Sequence, residues 1–128
     1  MQITDVRCHV LLDPGYDADE TSSASDDFVV EVFTDEGLVG IGETDLNPWV
    51  ARACLEAPGT HTMDRGLKSL LLGSDPLDPP AVWRRLYEGS AMTGRCESLF
   101  SSGIALMSKV LRVYFSNVRI PRSQRITF

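Results

Sequence analysis

A strand-turn-strand signal, FVVEVFTDEGLVGIG over residues 28–42, limits the fold more than any other part of the sequence. Phe28 to Thr34 is dense in β-branched and aromatic residues, which suit a pleated surface. Asp35-Glu36-Gly37 supplies a turn in which Gly37 can take a positive φ, and Leu38 to Gly42 resumes an extended pattern, so a β-hairpin is predicted. Upstream, apolar residues at 6, 8, 10 and 12 repeat with the period of a half-buried strand, with Ile3 just before them. Three such strands make a sheet too small to stand in water unless helices cover one face.

Those helices are legible downstream. Asn47-Pro48 joins a capping side chain to a proline at the first helical position, and the helix continues through Trp49, Ala53 and Glu56 until Ala57-Pro58-Gly59 stops it. A second helix is predicted from Thr62 to Leu72, with Met63, Leu67, Leu70 and Leu71 on one stripe and Gly73 as terminator. A third starts after Asp78, ahead of Pro79 and Pro80, and sets Val82, Trp83, Leu86 and Tyr87 at core-facing spacing. Past Gly94, residues Leu99, Phe100, Ile104, Met107, Val110 and Leu111 suit a further amphipathic helix, whereas residues 113–128 show no period. Strands first and helices after predict an α+β class: a three-stranded antiparallel β-meander packed against a bundle of three to four helices. Between the first two strands, Asp13–Asp27 holds almost nothing apolar except Tyr16 and is expected to be a solvent-facing loop.

The 128 residues suffice for one ordinary domain and fall far short of the roughly 250 that an eight-stranded α/β barrel needs. The net charge of -6 hides a gradient. Residues 1–60 carry 13 acids against Arg7 and Arg52, while residues 96–128 carry Glu97 against five bases. The last thirty-odd residues therefore look foreign to the first ninety. Cys8, Cys54 and Cys96 are too few and too widely spaced for a disulfide framework or a metal knuckle, which predicts a reducing, cytoplasmic setting. The amino terminus lacks the pattern of a secretory signal, and no membrane span is expected.

Self-contained chemistry is hard to find. Asp17-Ala18-Asp19-Glu20 begins like a calcium loop, but its sixth position is Ser22 and its twelfth Phe28, so a solvated acidic loop is expected. The glycines from Gly37 to Gly42 follow GxxGxG spacing inside a hairpin, which points to close packing rather than to a phosphate turn. His9 and His61 stand alone, Cys54 has no evident base, and no Gly-x-Ser-x-Gly elbow occurs. Arg112, Arg119, Arg122 and Arg125 with Tyr114 and Phe115 are read as a solvated tail, and nucleic acid is not an expected partner. No catalytic residue and no metal ligand is assigned.

From Gln2 to Arg95 the sequence resembles the amino-terminal capping domain of the mandelate racemase and muconate lactonizing enzymes of the enolase superfamily. ITDVRCHVL, the hairpin, TDEGLVGIGE (Thr34–Glu43) and LLGSDPLD…VWRRLY (Leu71–Tyr87) carry the resemblance, in order and at natural spacing. The resemblance implies a cap leaning over a barrel in which Mg²⁺ and a Lys or His act on a proton beside a carboxylate, in acid-sugar dehydration or racemisation. It assigns the cap to substrate selection and water exclusion, through the loops Leu12–Asp27 and Glu43–Trp49. Tyr16, Asp45, Asn47 and Trp49 become the candidates for facing substrate.

After Arg95 the family pattern fades to an echo at Ser102-Gly103-Ile104-Ala105-Leu106. A capping domain over 1–95 followed by an atypical basic segment over 96–128 is therefore expected, truncated or frame-shifted before the barrel. Two alternatives are a stand-alone binding module, in which a homo-oligomer is allowed, and a cap that assembles with a separately encoded barrel. A carboxylate or acid-sugar substrate is expected only in the context of that barrel.

Overall fold

The computed structural model describes residues 1–19, 25–44 and 46–91. Asp45, Cys96, the helix expected over 99–111, the terminal arginines and the seam after Arg95 lie outside the described residues. Strands β1 (Ile3–Leu12), β2 (Asp26–Thr34) and β3 (Val39–Thr44) form one antiparallel sheet in the order β1-β2-β3. The period-two pattern sorts its two faces. Val6, Val32 and Gly40 form one cross-strand row of the inner face, and Cys8, Val30 and Gly42 the next. Both glycines are buried, which agrees with the close packing expected of them.

Strand β1 begins three residues earlier than its apolar alternation suggests. The register with β2 shifts between Ile3 and Asp5, and this bulge lets Ile3 and Val6, an odd spacing apart, both be buried. Beyond the bulge, the end of β1 is closed off by backbone bonds: Ile3 N–H donates to Ser74 O at 2.9 Å and Gly73 N–H to Ile3 O at 2.8 Å. Gly37 and Gly73 both take φ of 77°, as a hairpin turn and a helix-terminating residue require.

Helix α1 (Pro48–Glu56) buries Pro48, Ala51 and Leu55. It ends where Pro58 forces the preceding Ala57 into an extended conformation, ψ 133°. The second helix is much shorter than predicted, spanning only Leu67–Leu71 as α2. Residues 60–64 instead close a turn, with Thr60 N–H donating to Asp64 O at 3.1 Å and the Thr60 hydroxyl to Asp64 Oδ2 at 2.7 Å. Gly66 then passes so close to the end of α1 that a Cβ would lie 2.2 Å from Ala57 O. That crossing holds Gly66 extended and delays the helix, so Met63, placed on the buried stripe by spacing, is 45% exposed.

Helix α3 (Pro79–Gly89) starts at Asp78, whose carboxylate accepts from Ala81 N–H at 3.1 Å. Its buried stripe is Pro79, Val82, Leu86 and Gly89. Trp83 and Tyr87, predicted to face the core, are 45% and 50% exposed and stack on each other with centroids 5.1 Å apart. Because each residue advances about 100° round the helix, burying 82, 86 and 89 leaves 83 and 87 on the flank. The core lies on the inner sheet face and continues between the helices, where Phe28, Val30, Val32, Leu55, Leu71, Val82 and Leu86 belong to one buried cluster.

Candidate functional site

Antiparallel pairing brings two connections to one end of the sheet. Leu12 pairs with Asp26 and Phe28 with Thr44, so the loop leaving β1 and the link leaving β3 emerge side by side. Asp13 shapes the first of them. Its backbone N–H donates to Ser25 O at 2.8 Å, its carbonyl accepts from Tyr16 N–H at 2.9 Å, and its carboxylate accepts from Gly15 N–H at 2.8 Å. The chain thus turns sharply at Asp13-Pro14-Gly15 and sends Tyr16 back toward α1.

Tyr16 and Trp49 meet there, with ring centroids 5.7 Å apart and planes inclined by 43°. Tyr16 is half-buried and Trp49 is 45% exposed, so the pair forms a partly open aromatic wall. Asn47 lies beside it, but its side-chain oxygen is committed to α1: Oδ1 accepts from Trp49 N–H at 3.1 Å and from Val50 N–H at 3.2 Å. That cap fixes the first turn and with it the direction of Trp49. Of the four residues singled out by sequence, the fold therefore joins Tyr16 and Trp49 directly and uses Asn47 to cap the helix that carries Trp49, while Asp45 is outside the described residues. Asp13, which anchors Tyr16, was not singled out; its signal was the Asp-Pro-Gly turn.

The remaining candidates for chemistry are structural. The Cys8 thiol lies 3.4 Å from Glu56 Oε1, and burial first, then Glu56, pushes its pKa up to about 11. Burial also raises that of Cys54. Neither offers a thiolate near neutrality. His9 pairs with Glu31 at 2.9 Å on the outer face of the sheet, and His61 lies in the turn closed against Asp64. Among the described residues no three His, Cys, Asp or Glu side chains come together in a group that could hold a metal ion. Nor is any described helix long and apolar enough to cross a membrane.

No family model matches the chain. Solved structures do. A predicted mandelate racemase of Bordetella bronchiseptica RB50 is 27% identical with a TM-score of 0.60, over 89% of this chain and 29% of that one. A mandelate racemase/muconate lactonizing enzyme-like protein of Rubrobacter xylanophilus is 23% identical with a TM-score of 0.61, over 90% of this chain and 29% of that one. The 3,6-anhydro-D-galactonate cycloisomerase of Zobellia galactanivorans is 18% identical with a TM-score of 0.64, over 87% of this chain and 27% of that one. The described residues share the fold of the amino-terminal capping domain of these structures, a three-stranded antiparallel sheet with three helices. The chain spans under a third of the length of the structures it matches. Within this fold, the Tyr16–Trp49 wall sits where the loop leaving β1 and the short link leaving β3 converge.

Proposed function

We propose that the chain is the substrate-lid part of a mandelate racemase/muconate lactonizing-type enzyme, closing over a carboxylate or acid sugar held by a barrel domain. The contact between Tyr16 and Trp49 carries this reading, because it ties together two loops that the sheet brings to one end. A partly exposed aromatic wall excludes water, and a drier site strengthens every electrostatic contact made to a charged substrate. Tyr16, Asp45, Asn47 and Trp49 are the residues proposed to face substrate. In the proposed enzyme Mg²⁺ would supply charge stabilisation for racemisation or dehydration beside a carboxylate. Its holders and the proton-transferring groups are supplied by the barrel, so the cap alone is proposed to be inactive. A cytoplasmic setting suits its half-buried free thiols Cys8 and Cys54.

Reading the gene past the codon for Arg95 in all three frames, and elsewhere in the same genome, identifies the partner barrel. Mixing that barrel with the chain and Mg²⁺ is expected to give a complex in size-exclusion chromatography and turnover of an acid sugar by the mixture alone. Trp49→Ala is expected to raise KM more than it lowers kcat. Absence of both complex and turnover overturns the proposal.

A further inference from the structure

The described chain has six Lys and Arg side chains, and they divide into two sets. Arg7 and Lys68 each hold Asp5 at 2.9 Å, and Arg52 holds Glu56 at 2.9 Å. Arg65, Arg84 and Arg85 make no ion pair with any described residue, although acids outnumber bases in this domain. All three line one open cleft of about 450 Å³ between α3 and the turn ending at Arg65. From this convergence we propose a binding site for a small organic oxyanion, a carboxylate or phosphate head carried on a short apolar body.

The cleft is held together by the fold. Arg65 N–H donates to Gly89 O at 3.1 Å, tying the turn to the end of α3. Across from it, Arg84 and Arg85 project from α3. The Arg85 guanidinium donates to Ser74 Oγ at 3.3 Å, and that nearly buried hydroxyl donates in turn to Leu70 O at 3.3 Å. One of the three cations is thus oriented by a bond to the protein interior. Leu70 and Met63 give the lining an apolar part. Glu88 also reaches the cleft but lies beyond ion-pair distance of the three guanidiniums, so the positive charge is left in excess.

Guanidinium forks match the paired oxygens of carboxylate and phosphate, and a single exposed pair of this kind binds weakly. Three of them around an apolar patch, in a volume within the ordinary range of about 300–1,000 Å³ for small-molecule sites, suit a ligand that uses both features. The site shares no residue with the Tyr16–Trp49 wall and does not depend on the lid function proposed above.

Isothermal titration of the full chain with phenyl phosphate, benzoate and inorganic phosphate tests the proposal. Saturable binding of phenyl phosphate or benzoate is expected, and whichever binds tighter identifies the head group. Inorganic phosphate should bind more weakly than phenyl phosphate. The double variant Arg84→Gln/Arg85→Gln should weaken binding about tenfold or more while keeping the parent's circular dichroism and thermal midpoint. Arg52→Gln, which removes an equal kind of charge from α1, should leave binding unchanged. No saturable binding, binding indifferent to the double variant, or equal weakening by Arg52→Gln overturns the site, and equal affinity for inorganic phosphate overturns the apolar body.

Discussion

Asp5 binds two cations with one carboxylate, Lys68 from α2 through Oδ1 and Arg7 from its own strand through Oδ2. The Lys68 hydrogen bond first, then that of Arg7, lowers its pKa from 3.8 to about 2. Since the folded value lies below the unfolded one, the fold favours the ionised form. The stabilisation is complete above the unfolded pKa of about 4 and is lost as the pH falls through about 2. The side chain is a third exposed, so screening leaves about 1 kcal/mol. Asp5→Asn is therefore expected to lower the unfolding free energy by about 1 kcal/mol near neutrality, the two proteins converging toward pH about 2 in urea titrations. An offset that stays constant with pH contradicts the assignment. The partnership of residues 5 and 68 could not be read in the sequence, because nothing local links a strand to a helix so far along the chain.

Helix α3 shows where pattern reading reaches its limit among the elements. Its start was legible, since Asp78-Pro79 is a cap with a proline behind it. The buried half of its apolar stripe was not, because 82, 83, 86 and 87 are all apolar or aromatic. Gly89 decides it: a Cβ there would lie 2.3 Å from Leu70 Cδ2, so α3 rests on α2 through a residue without a side chain. Gly89→Ala is expected to destabilise the domain by about 1–3 kcal/mol, despite the better helix propensity of alanine. Pairing it with Leu70→Ala should cost less than the sum of the two single changes, as measured by denaturant unfolding. Strict additivity would show that the two side chains do not compete for one space. Similarly, α2 is short because Gly66 must clear Ala57 O, a contact between segments that no window of sequence contains.

On the scale of the whole molecule, one sheet face is covered by helices, and no described helix covers the other. Leu11, Val39 and Ile41 lie on that outer face, 46–50% exposed, and Trp49, Trp83 and Tyr87 stand out from the helices. Apolar side chains so arranged favour association. Static light scattering of the purified chain is expected to give a mass above 14.1 kDa that rises with concentration, and a constant 14.1 kDa would count against it. The amino-acid sequence by itself determined the class and order of the elements, the hairpin, the starts of α1 and α3 and the resemblance over residues 2–95, because alternation, turn residues and caps act between near neighbours. The tertiary structure alone decided which half of α3 is buried, how short α2 is, that Tyr16 meets Trp49, and that three arginines without an ion pair among the described residues share a cleft. Those outcomes follow from backbone crossings and ion-pair choices between segments far apart in the chain, for which local pattern carries no signal.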